Sequence, residues 1–221
     1  MPLHNHSGRR VAVLYNTDYD AELIAATDVS AVQLSAQAIT QAIADCGLGV
    51  QLHGVHGDDI GEVLARLRGE APDLVFNLCE SLAGDARNEL VVPALLDMVR
   101  LPYTGTGPLA LGMCLHTDRC KDILIARGVA TPPHRVIADR DDLDRLRRGG
   151  QLDGLDYPYF VKLAHEDASI GIDASNRVGD AAALAARAAA LMDTHRQPVI
   201  AERYIAGREI NVTLVGNRPP A

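Results

Sequence analysis

Hydrophobic and polar positions follow two different periods along the first half of the chain. Short strands are predicted at residues 11–15, 50–55 and 74–78, and the first of them is a continuous apolar run. Between them, apolar residues recur every three or four positions, as on the buried face of a helix. The residues with this spacing are Val32, Ala36, Ile39, Ile43 and Cys46 in one segment and Ile60, Val63, Leu64 and Leu67 in the next. Strands that alternate with amphipathic helices predict an α/β fold with a parallel sheet and right-handed crossovers.

Glycine and proline predict where the helices of this half begin and end. Gly47, Gly69 and Gly128 are expected to end helices, because glycine readily adopts the left-handed conformation that follows a last helical turn. Residues 88–100 predict a further helix. Its regular part should begin near Pro93, since a proline inside a helix removes a hydrogen bond.

A domain boundary is predicted near the middle of the chain. Pro108 and Thr117 each mark the start of a helix in the stretch that precedes it. The sequence Thr131-Pro132-Pro133 cannot continue a helix. We therefore predict two domains, comprising residues 1–130 and 131–221.

The second domain shows a different order of elements. A strand is predicted at residues 159–163, followed by a glycine-containing loop at 168–171 and an alanine-rich helix at about 180–192. Two further strands, 199–205 and 209–215, are predicted to form a hairpin around Ala206 and Gly207. In the second hairpin strand, one face is predicted to enter the core and the other to remain polar. The core face comprises Ile210, Val212 and Leu214, and the polar face comprises Glu209, Asn211 and Thr213.

The composition and charge argue against two classes of function, nucleic-acid binding and membrane association. The chain has 221 residues, of which 48% are hydrophobic and 23% charged, and its formal net charge is -8. This composition indicates a soluble globular protein. The negative charge argues against a nucleic-acid partner, which requires a concentrated basic face. No apolar run approaches the roughly 20 residues that span a bilayer, so no membrane association is expected.

The cysteines and the first residues indicate a cytoplasmic protein without a metal site of its own. Cys46, Cys79, Cys114 and Cys120 lack the short paired spacing of zinc or redox motifs, so reduced thiols are expected. Residues 1–10 lack the apolar segment of a secretory signal. We predict a cytoplasmic location and assign no metal ligands within the chain.

Lys162 is the strongest candidate for chemistry. It lies within an apolar strand, and a buried ammonium requires a partner. The alternative is a lysine on an edge strand whose side chain reaches water. The small residues of the loop Ala168–Gly171 would allow backbone N–H groups to approach a phosphate. Glu166 and Asp167 would repel a polyphosphate unless a cation intervenes.

Glu202 and Glu209 interrupt the apolar pattern of the hairpin strands. The common explanation for such residues is an exposed face of the sheet. If the hairpin forms, Glu209 is expected to point towards Lys162 while Ile210 packs into the core. A carboxylate in that place could accept hydrogen bonds from both hydroxyls of a ribose.

An ordered set of motifs resembles the D-alanine:D-alanine ligases of the ATP-grasp superfamily, over roughly residues 10–217. The motifs are Leu101–Gly107, Gly128–Pro132, Phe160–Lys162, Ser169–Gly171 and Val199–Glu209. The resemblance implies an N-terminal Rossmann-like domain followed by the small α+β lobe of an ATP-grasp fold. It also implies that the C-terminal lobe of the family is missing from this chain.

The resemblance further implies the residues that hold ATP. Lys162 would contact the phosphates, and the loop from Ser169 to Gly171 would close over them. Glu202, Tyr204 and Ile205 would line the adenine pocket, Tyr204 and Ile205 partly through backbone groups. Glu209 would hold the ribose, and apolar residues such as Phe160 would sandwich the base. Catalytic residues are not assigned.

The implied activity joins a carboxylate to an amine through an acyl-phosphate intermediate. ATP and a small substrate such as an amino acid are the expected partners, and a homodimer is compatible with the sequence. Mg²⁺ is expected as a cofactor, with its ligands in the missing lobe. This chain alone is therefore predicted to be inactive.

Several positions depart from the family pattern. His116-Thr117 stands where the family has Asp-Lys, so one phosphate-binding lysine is absent, and Lys121 matches a different lysine further along. Glu166-Asp167-Ala168 replaces a glycine-rich phosphate loop. These departures indicate a divergent branch. They leave open two alternatives, a non-catalytic module that binds a nucleotide or a partner, and an ATP-grasp ligase for another amino acid or peptide.

Overall fold

The computed structural model describes residues 8–17, 26–166, 170–213 and 216. The chain divides into two compact units. The first unit comprises Met1–Val129 with Leu163–Ile170, and the second comprises Ala130–Lys162 with Gly171–Ala221. No helix in the described ranges is both long enough and apolar enough to cross a bilayer.

A three-stranded parallel sheet forms the first unit, as the hydrophobic pattern predicted. Its elements are β1 (Arg10–Asn16), α1 (Ala26–Asp45), β2 (Gly49–Val55), α2 (Ile60–Glu70) and β3 (Leu74–Asn77). The strand order is β2-β1-β3, and β1 pairs in parallel with both neighbours. Leu14, Val55, Leu67 and Val75 are among the residues of its core, which is aliphatic. β-Branched and leucine side chains suit strands that are buried on both faces.

Three helices complete the first unit, at α3 (Val91–Val99), α4 (Pro108–Leu115) and α5 (Thr117–Ala126). The predicted starts at Pro108 and Thr117 are both confirmed. Gly128 follows α5 with a φ of +74°, a conformation that glycine adopts without steric cost. The prediction that α2 ends at Gly69 is wrong by one residue, because Ala71 adopts the left-handed conformation and donates its N–H to the Leu67 carbonyl.

The second unit is built on a four-stranded sheet with antiparallel pairs. Its elements are β4 (His134–Ile137), α6 (Arg140–Arg148), β5 (Tyr159–Leu163), β6 (Arg177–Val178), α7 (Ala181–His195) and β7 (Val199–Arg203). The strand order is β4-β7-β5-β6, with β4 antiparallel to β7 and β5 antiparallel to β6. Helices α6 and α7 contact each other and the strands. The sequence predicted β5, α7 and β7, but not β4, α6 or β6.

The predicted hairpin after β7 is wrong in the part that the structure describes. β7 ends at Arg203, and residues 204–213 are not in a strand. Ile210 and Val212, which were expected in the core, are 73% and 76% exposed, and Leu214 lies outside the described residues. The physical reason is the position of β7 between β4 and β5, because a strand with neighbours on both edges has no edge left for a hairpin partner.

Candidate functional site

The second unit brings Lys162 of β5 and Glu202 of β7 together. The Lys162 Nζ atom lies 3.0 Å from the Glu202 Oε2 atom, and the two side chains are 29% and 14% exposed. Because β5 and β7 are neighbours in the sheet, the pair spans two adjacent strands. The expectation that a lysine in this strand would have a partner is confirmed.

Strand alternation explains why Lys162 is accessible within an apolar strand. Successive side chains point to opposite faces, so the buried residues of β5 lie on the face away from Lys162. These buried residues are Tyr159, Val161 and Leu163. Phe160 shares the face of Lys162 and is half-buried. The sheet therefore presents an aromatic ring and an ammonium side by side.

The partner of Lys162 differs from the one that the hairpin implied. Glu202 forms the ion pair, and Glu209 lies in the exposed stretch after β7. The shift follows from the missing hairpin, since Glu209 was expected to approach Lys162 on a second strand. Partial burial makes the loss of either partner costly, because an ammonium or carboxylate shielded from water without a partner is unfavourable.

Tyr204 follows directly after β7 and is fixed by two contacts. Its backbone N–H donates to the Pro158 carbonyl at 2.9 Å. The Arg177 guanidinium carbon lies 4.8 Å from the centre of its ring, a cation–π distance. The Tyr204 amide is therefore engaged within the protein, and a backbone contribution to a ligand would come from its carbonyl. Ile205, the next residue, is exposed.

Gly171 is anchored to β5 by a polar network that the sequence did not reveal. Its φ is +69°, and its carbonyl accepts hydrogen bonds from Asn176 Nδ2 at 3.0 Å and from Arg187 Nη2 at 2.9 Å. Asn176 is fully buried and also donates to the Val161 carbonyl at 2.5 Å. One end of the predicted phosphate loop is thus attached to the strand that carries Lys162. Ser169 lies outside the described residues.

Asp173 completes this network. Its backbone N–H donates to the Asn176 side chain at 2.7 Å, and its carboxylate accepts from Arg187 Nη2 at 3.0 Å. Hydrogen bonds from the Ser175 hydroxyl and backbone N–H hold the pKa of Asp173 below its usual range. The sequence signal for this turn was the spacing Asp173-x-x-Asn176, which forms a capping box.

The departures from the family pattern lie in the first unit. Thr117, which stands where the family has a lysine, is the first residue of α5, and its N–H donates to the Ala164 carbonyl at 3.0 Å. Lys121 is the only other lysine of the chain besides Lys162, and it is buried within α5. Because the Lys121 side chain is buried, it is not expected to replace the phosphate-binding lysine that the family has at position 117.

Comparison with known proteins identifies relatives over most of the chain. Residues 123–221 match the family model described as "D-ala D-ala ligase C-terminus". The chain is 31% identical over 208 residues to D-alanine–D-alanine ligase of Stutzerimonas stutzeri, covering 93% of this chain and 58% of that protein. It is 36% identical over 156 residues to the uncharacterized protein y4sG of Sinorhizobium fredii, covering 70% of this chain and 41% of that protein. The chain thus spans about half the length of the curated relatives it matches.

Solved structures share the fold at lower sequence identity. D-alanine–D-alanine ligase of Bacillus anthracis, crystallised with ATP, aligns with a TM-score of 0.63 at 18% identity, covering 90% of this chain and 60% of that one. The VanG D-Ala:D-Ser ligase of Enterococcus faecalis also aligns with a TM-score of 0.63 at 18% identity, covering 90% and 63%. The family match, the sequence relatives and the shared fold agree: the chain is D-alanine–D-alanine ligase-like and has an ATP-grasp fold.

Proposed function

We propose that the chain provides the ATP-binding part of a ligase that joins a carboxylate to an amine. The observation that carries the proposal is the pair formed by Lys162 and Glu202 on adjacent strands, within the segment that matches the ligase family. An ammonium and a carboxylate side by side suit a nucleotide, which offers anionic phosphates at one end and hydrogen-bond donors on its base.

The residues present on this sheet face fit such a ligand. Lys162 would neutralise phosphate oxygens, and Glu202 would accept a hydrogen bond from the base. Phe160 and Ile205 offer apolar contact for the ring, and Tyr204 offers its carbonyl. Glu209 would hold the ribose hydroxyls once the exposed stretch after β7 folds against the ligand.

The loop that ends at Gly171 would close over the phosphates. Gly171 is fixed to β5 and α7 through Asn176 and Arg187, so the loop has one firm end. Ser169, with the adjacent backbone N–H groups, would then supply donors to the phosphate oxygens. A loop with an anchored end positions its donors at a small entropic cost.

The proposed chemistry overcomes the poor leaving group of a carboxylate. The carboxylate oxygen of one substrate attacks the γ-phosphorus of ATP, the bond to the bridging oxygen breaks, and ADP leaves. The amine of a second substrate then attacks the acyl phosphate, loses a proton, and inorganic phosphate departs. Positioning and charge neutralisation dominate such reactions, so lysine and Mg²⁺ recur in them. We expect the Mg²⁺ ligands outside the motifs matched here.

The substrate is proposed only as a small amino acid or peptide. Thr117 replaces a family lysine, and Glu166 lies in the loop that is glycine-rich in the family. These changes lie at phosphate-contacting positions of the family and favour a divergent ligase, so D-alanine itself is not proposed as the second reactant. A module that binds a nucleotide without catalysis is the remaining alternative, and the two differ in whether an amino acid triggers phosphate release.

ATP binding by the 221-residue chain tests the proposal. We expect saturable binding of a fluorescent ATP analogue, and at least about tenfold weaker binding in Lys162→Met, because one charge-assisted contact is lost. The chain spans about half of its relatives, so we expect binding without turnover. In the gene product that carries this chain, amino-acid-dependent phosphate release should depend on Lys162.

Two further variants separate a nucleotide contact from a structural ion pair. Exchanging the charges with Lys162→Glu and Glu202→Lys keeps the pair and its stabilising effect, but moves the cation to β7. We expect normal thermal stability and weak ATP binding from this double variant. Arg145→Met, which removes the partner of Asp142 on α6, is the matched control and should bind ATP normally. Full ATP affinity in Lys162→Met would refute the proposed site.

A further inference from the structure

Three side chains with metal-binding atoms converge in the first unit, where the start of α5 meets the segment after β5. They are His116, Asp118 and His165, and one ligand atom from each lies within 4.8 Å of the others. None of the three belongs to the proposed nucleotide site. The cluster brings together positions 116 and 165, which are far apart in the sequence, so no short sequence motif predicted it.

A backbone hydrogen bond holds the two segments in register. The Thr117 N–H donates to the Ala164 carbonyl at 3.0 Å. His116 and Asp118 flank the donor residue, and His165 follows the acceptor residue, so each candidate ligand is one residue from this bond. The His116 carbonyl also accepts the Cys120 N–H at 2.9 Å, which ties His116 to the first turn of α5. The ligand set is therefore positioned by rigid backbone.

Asp118 supplies a buried carboxylate oxygen that could coordinate a cation. Within the described ranges, its Oδ1 atom is shielded from solvent and accepts no hydrogen bond. That atom lies 3.8 Å from His165 Nε2, beyond hydrogen-bond distance, while Oδ2 approaches Arg119 Nε at 3.4 Å. A buried carboxylate oxygen without a donor is costly, and a bound cation would remove that cost.

The two imidazoles face each other closely enough to share an ion. Their ring centroids are 4.3 Å apart, with an interplanar angle of 65°. A neutral imidazole offers one ring nitrogen with a free lone pair, and this nitrogen is the metal ligand. Arg87, a nearby cation, has its own partner in Asp85 at 2.6 Å.

We propose that His116, Asp118 and His165 form a binding site for a divalent transition metal, with Zn²⁺ as the best fit. Two imidazole nitrogens and one carboxylate oxygen suit Zn²⁺, whereas Mg²⁺ prefers oxygen ligands. In a tetrahedral zinc site the ligand atoms lie about 3.3 Å apart, given metal–ligand distances of about 2.0 Å. Asp118 and His165 would therefore approach each other by about 0.5 Å.

Three protein ligands leave a coordination position open. Sites with this count hold a water molecule or an oxygen anion at the fourth position, whereas structural zinc sites are closed by four protein ligands. The site is therefore suited to a cation that meets an external oxygen ligand. This inference goes beyond the proposed ATP-binding function, and its test requires no nucleotide.

Zinc titration of the metal-free 221-residue chain against a chromophoric chelator tests the proposal. We expect one tight site per chain, insensitive to Mg²⁺, and at least about tenfold weaker Zn²⁺ binding in His116→Gln and His165→Gln. Co²⁺ in the same site should give the strong visible absorption of four-coordinate cobalt, and this absorption should be lost in both variants. Far-UV circular dichroism checks that the variants fold.

His56→Gln is the matched control. His56 and Asp58 repeat the His-x-Asp spacing of His116 and Asp118 on the surface of the same unit, with Nδ1 and Oδ1 2.8 Å apart. This variant should bind Zn²⁺ normally. Unchanged Zn²⁺ affinity in folded His165→Gln, or an equal loss in His56→Gln, would overturn the proposal.

Asp118→Asn separates a metal ligand from a structural carboxylate. If Asp118 serves the metal, the variant should keep or raise the melting temperature of the metal-free chain, because it removes a buried charge, and should lose the stabilisation by Zn²⁺. A purely structural Asp118 gives the opposite result, a lower melting temperature with Zn²⁺ affinity unchanged.

Discussion

The two sheets of this chain differ in how chain order relates to spatial order. In the parallel sheet, β1 pairs with the next two strands of the sequence, one on each side. In the other sheet, β7 is the last strand among the described residues, yet it lies between β4 and β5. The first arrangement follows from repeated strand–helix units, whereas the second depends on pairings between distant segments.

The two units also differ in the kinds of side chains that they bury. The parallel sheet carries an aliphatic core, of which Leu14 and Val75 are typical. The second unit combines buried aliphatic residues with a buried polar network around Asn176 and an ion pair at Lys162. Hydrophobic burial stabilises both units, and the polar network of the second unit also positions the residues around Lys162 through directional contacts. Substitutions should therefore act differently in the two units.

The largest effect is expected from Leu96→Ala in the first unit. Leu96 is fully buried in the cluster that covers the parallel sheet. Its truncation leaves a cavity and should lower the free energy of unfolding by about 2–5 kcal/mol. Urea unfolding measures the loss, and hydrogen exchange should show faster exchange in β1, β2 and β3.

Leu34→Ala is the matched control for this substitution, because Leu34 lies exposed on α1. It should change the free energy of unfolding by less than about 0.5 kcal/mol. If Leu96→Ala accelerated exchange equally in β4 and β7, the two units would unfold as one, and the contrast between them would not hold for stability.

A smaller effect is expected from Asn176→Asp in the second unit. Asn176 Nδ2 donates to two carbonyls, those of Val161 and Gly171, and a carboxylate oxygen in its place would face both acceptors. We expect a loss of about 1–3 kcal/mol in the free energy of unfolding at neutral pH. The variant keeps an acceptor for Arg187 Nη2, which lies 2.7 Å from Asn176 Oδ1, so the loss is confined to the two carbonyls that no longer have a donor.

Asn16→Asp in the first unit is its counterpart. Asn16 is also buried, but its Nδ2 donates to the Ser81 hydroxyl at 2.6 Å. A hydroxyl can rotate and donate to a carboxylate, so the substitution should cost less than Asn176→Asp. Equal losses in both variants would show that burial alone, and not the type of partner, sets the cost.

The same contrast explains which elements the sequence predicted. β1 and β3 are mainly apolar, β2 alternates apolar and polar residues, and the intervening helices carry apolar faces, so the pattern was sufficient to predict them. β4 was missed because it contains His134 and Arg135, and α6 because seven of its nine residues are charged. The false hairpin was a local inference, which the distant pairing of β7 with β4 overrode.

The candidate sites also differ in how much of each could be predicted from the sequence. Lys162 could be found from the sequence because a charge inside an apolar strand is a local anomaly. Its partner Glu202 was named, but its pairing with Lys162 requires the strand order. The cluster of His116, Asp118 and His165 depends on one backbone contact between segments that are distant in sequence, so no spacing rule could reveal it.

The smallest effect concerns two tyrosines, one in each unit. Burial and the neighbouring Asp153 raise the pKa of Tyr157 to about 12, and its hydroxyl donates to the Leu152 carbonyl at 2.9 Å. Burial also raises the pKa of Tyr103, whose backbone lies beside β3 in the first unit. Both hydroxyls therefore favour the protonated form in the folded chain.

Tyr157→Phe should lower the free energy of unfolding by about 0.5–1.5 kcal/mol at neutral pH, because it removes one hydrogen bond. The contribution of Tyr157 is complete below pH 10, the usual pKa of tyrosine, and is lost as the pH rises towards about 12, since the unfolded chain releases its proton first. Urea unfolding from pH 8 to pH 11 should thus show wild type and variant converging as the pH rises. Tyr103→Phe tests the first unit in the same way. A constant difference between wild type and Tyr157→Phe over this range would mean that the Tyr157 hydroxyl titrates as it does in water, and that the second unit does not shield it.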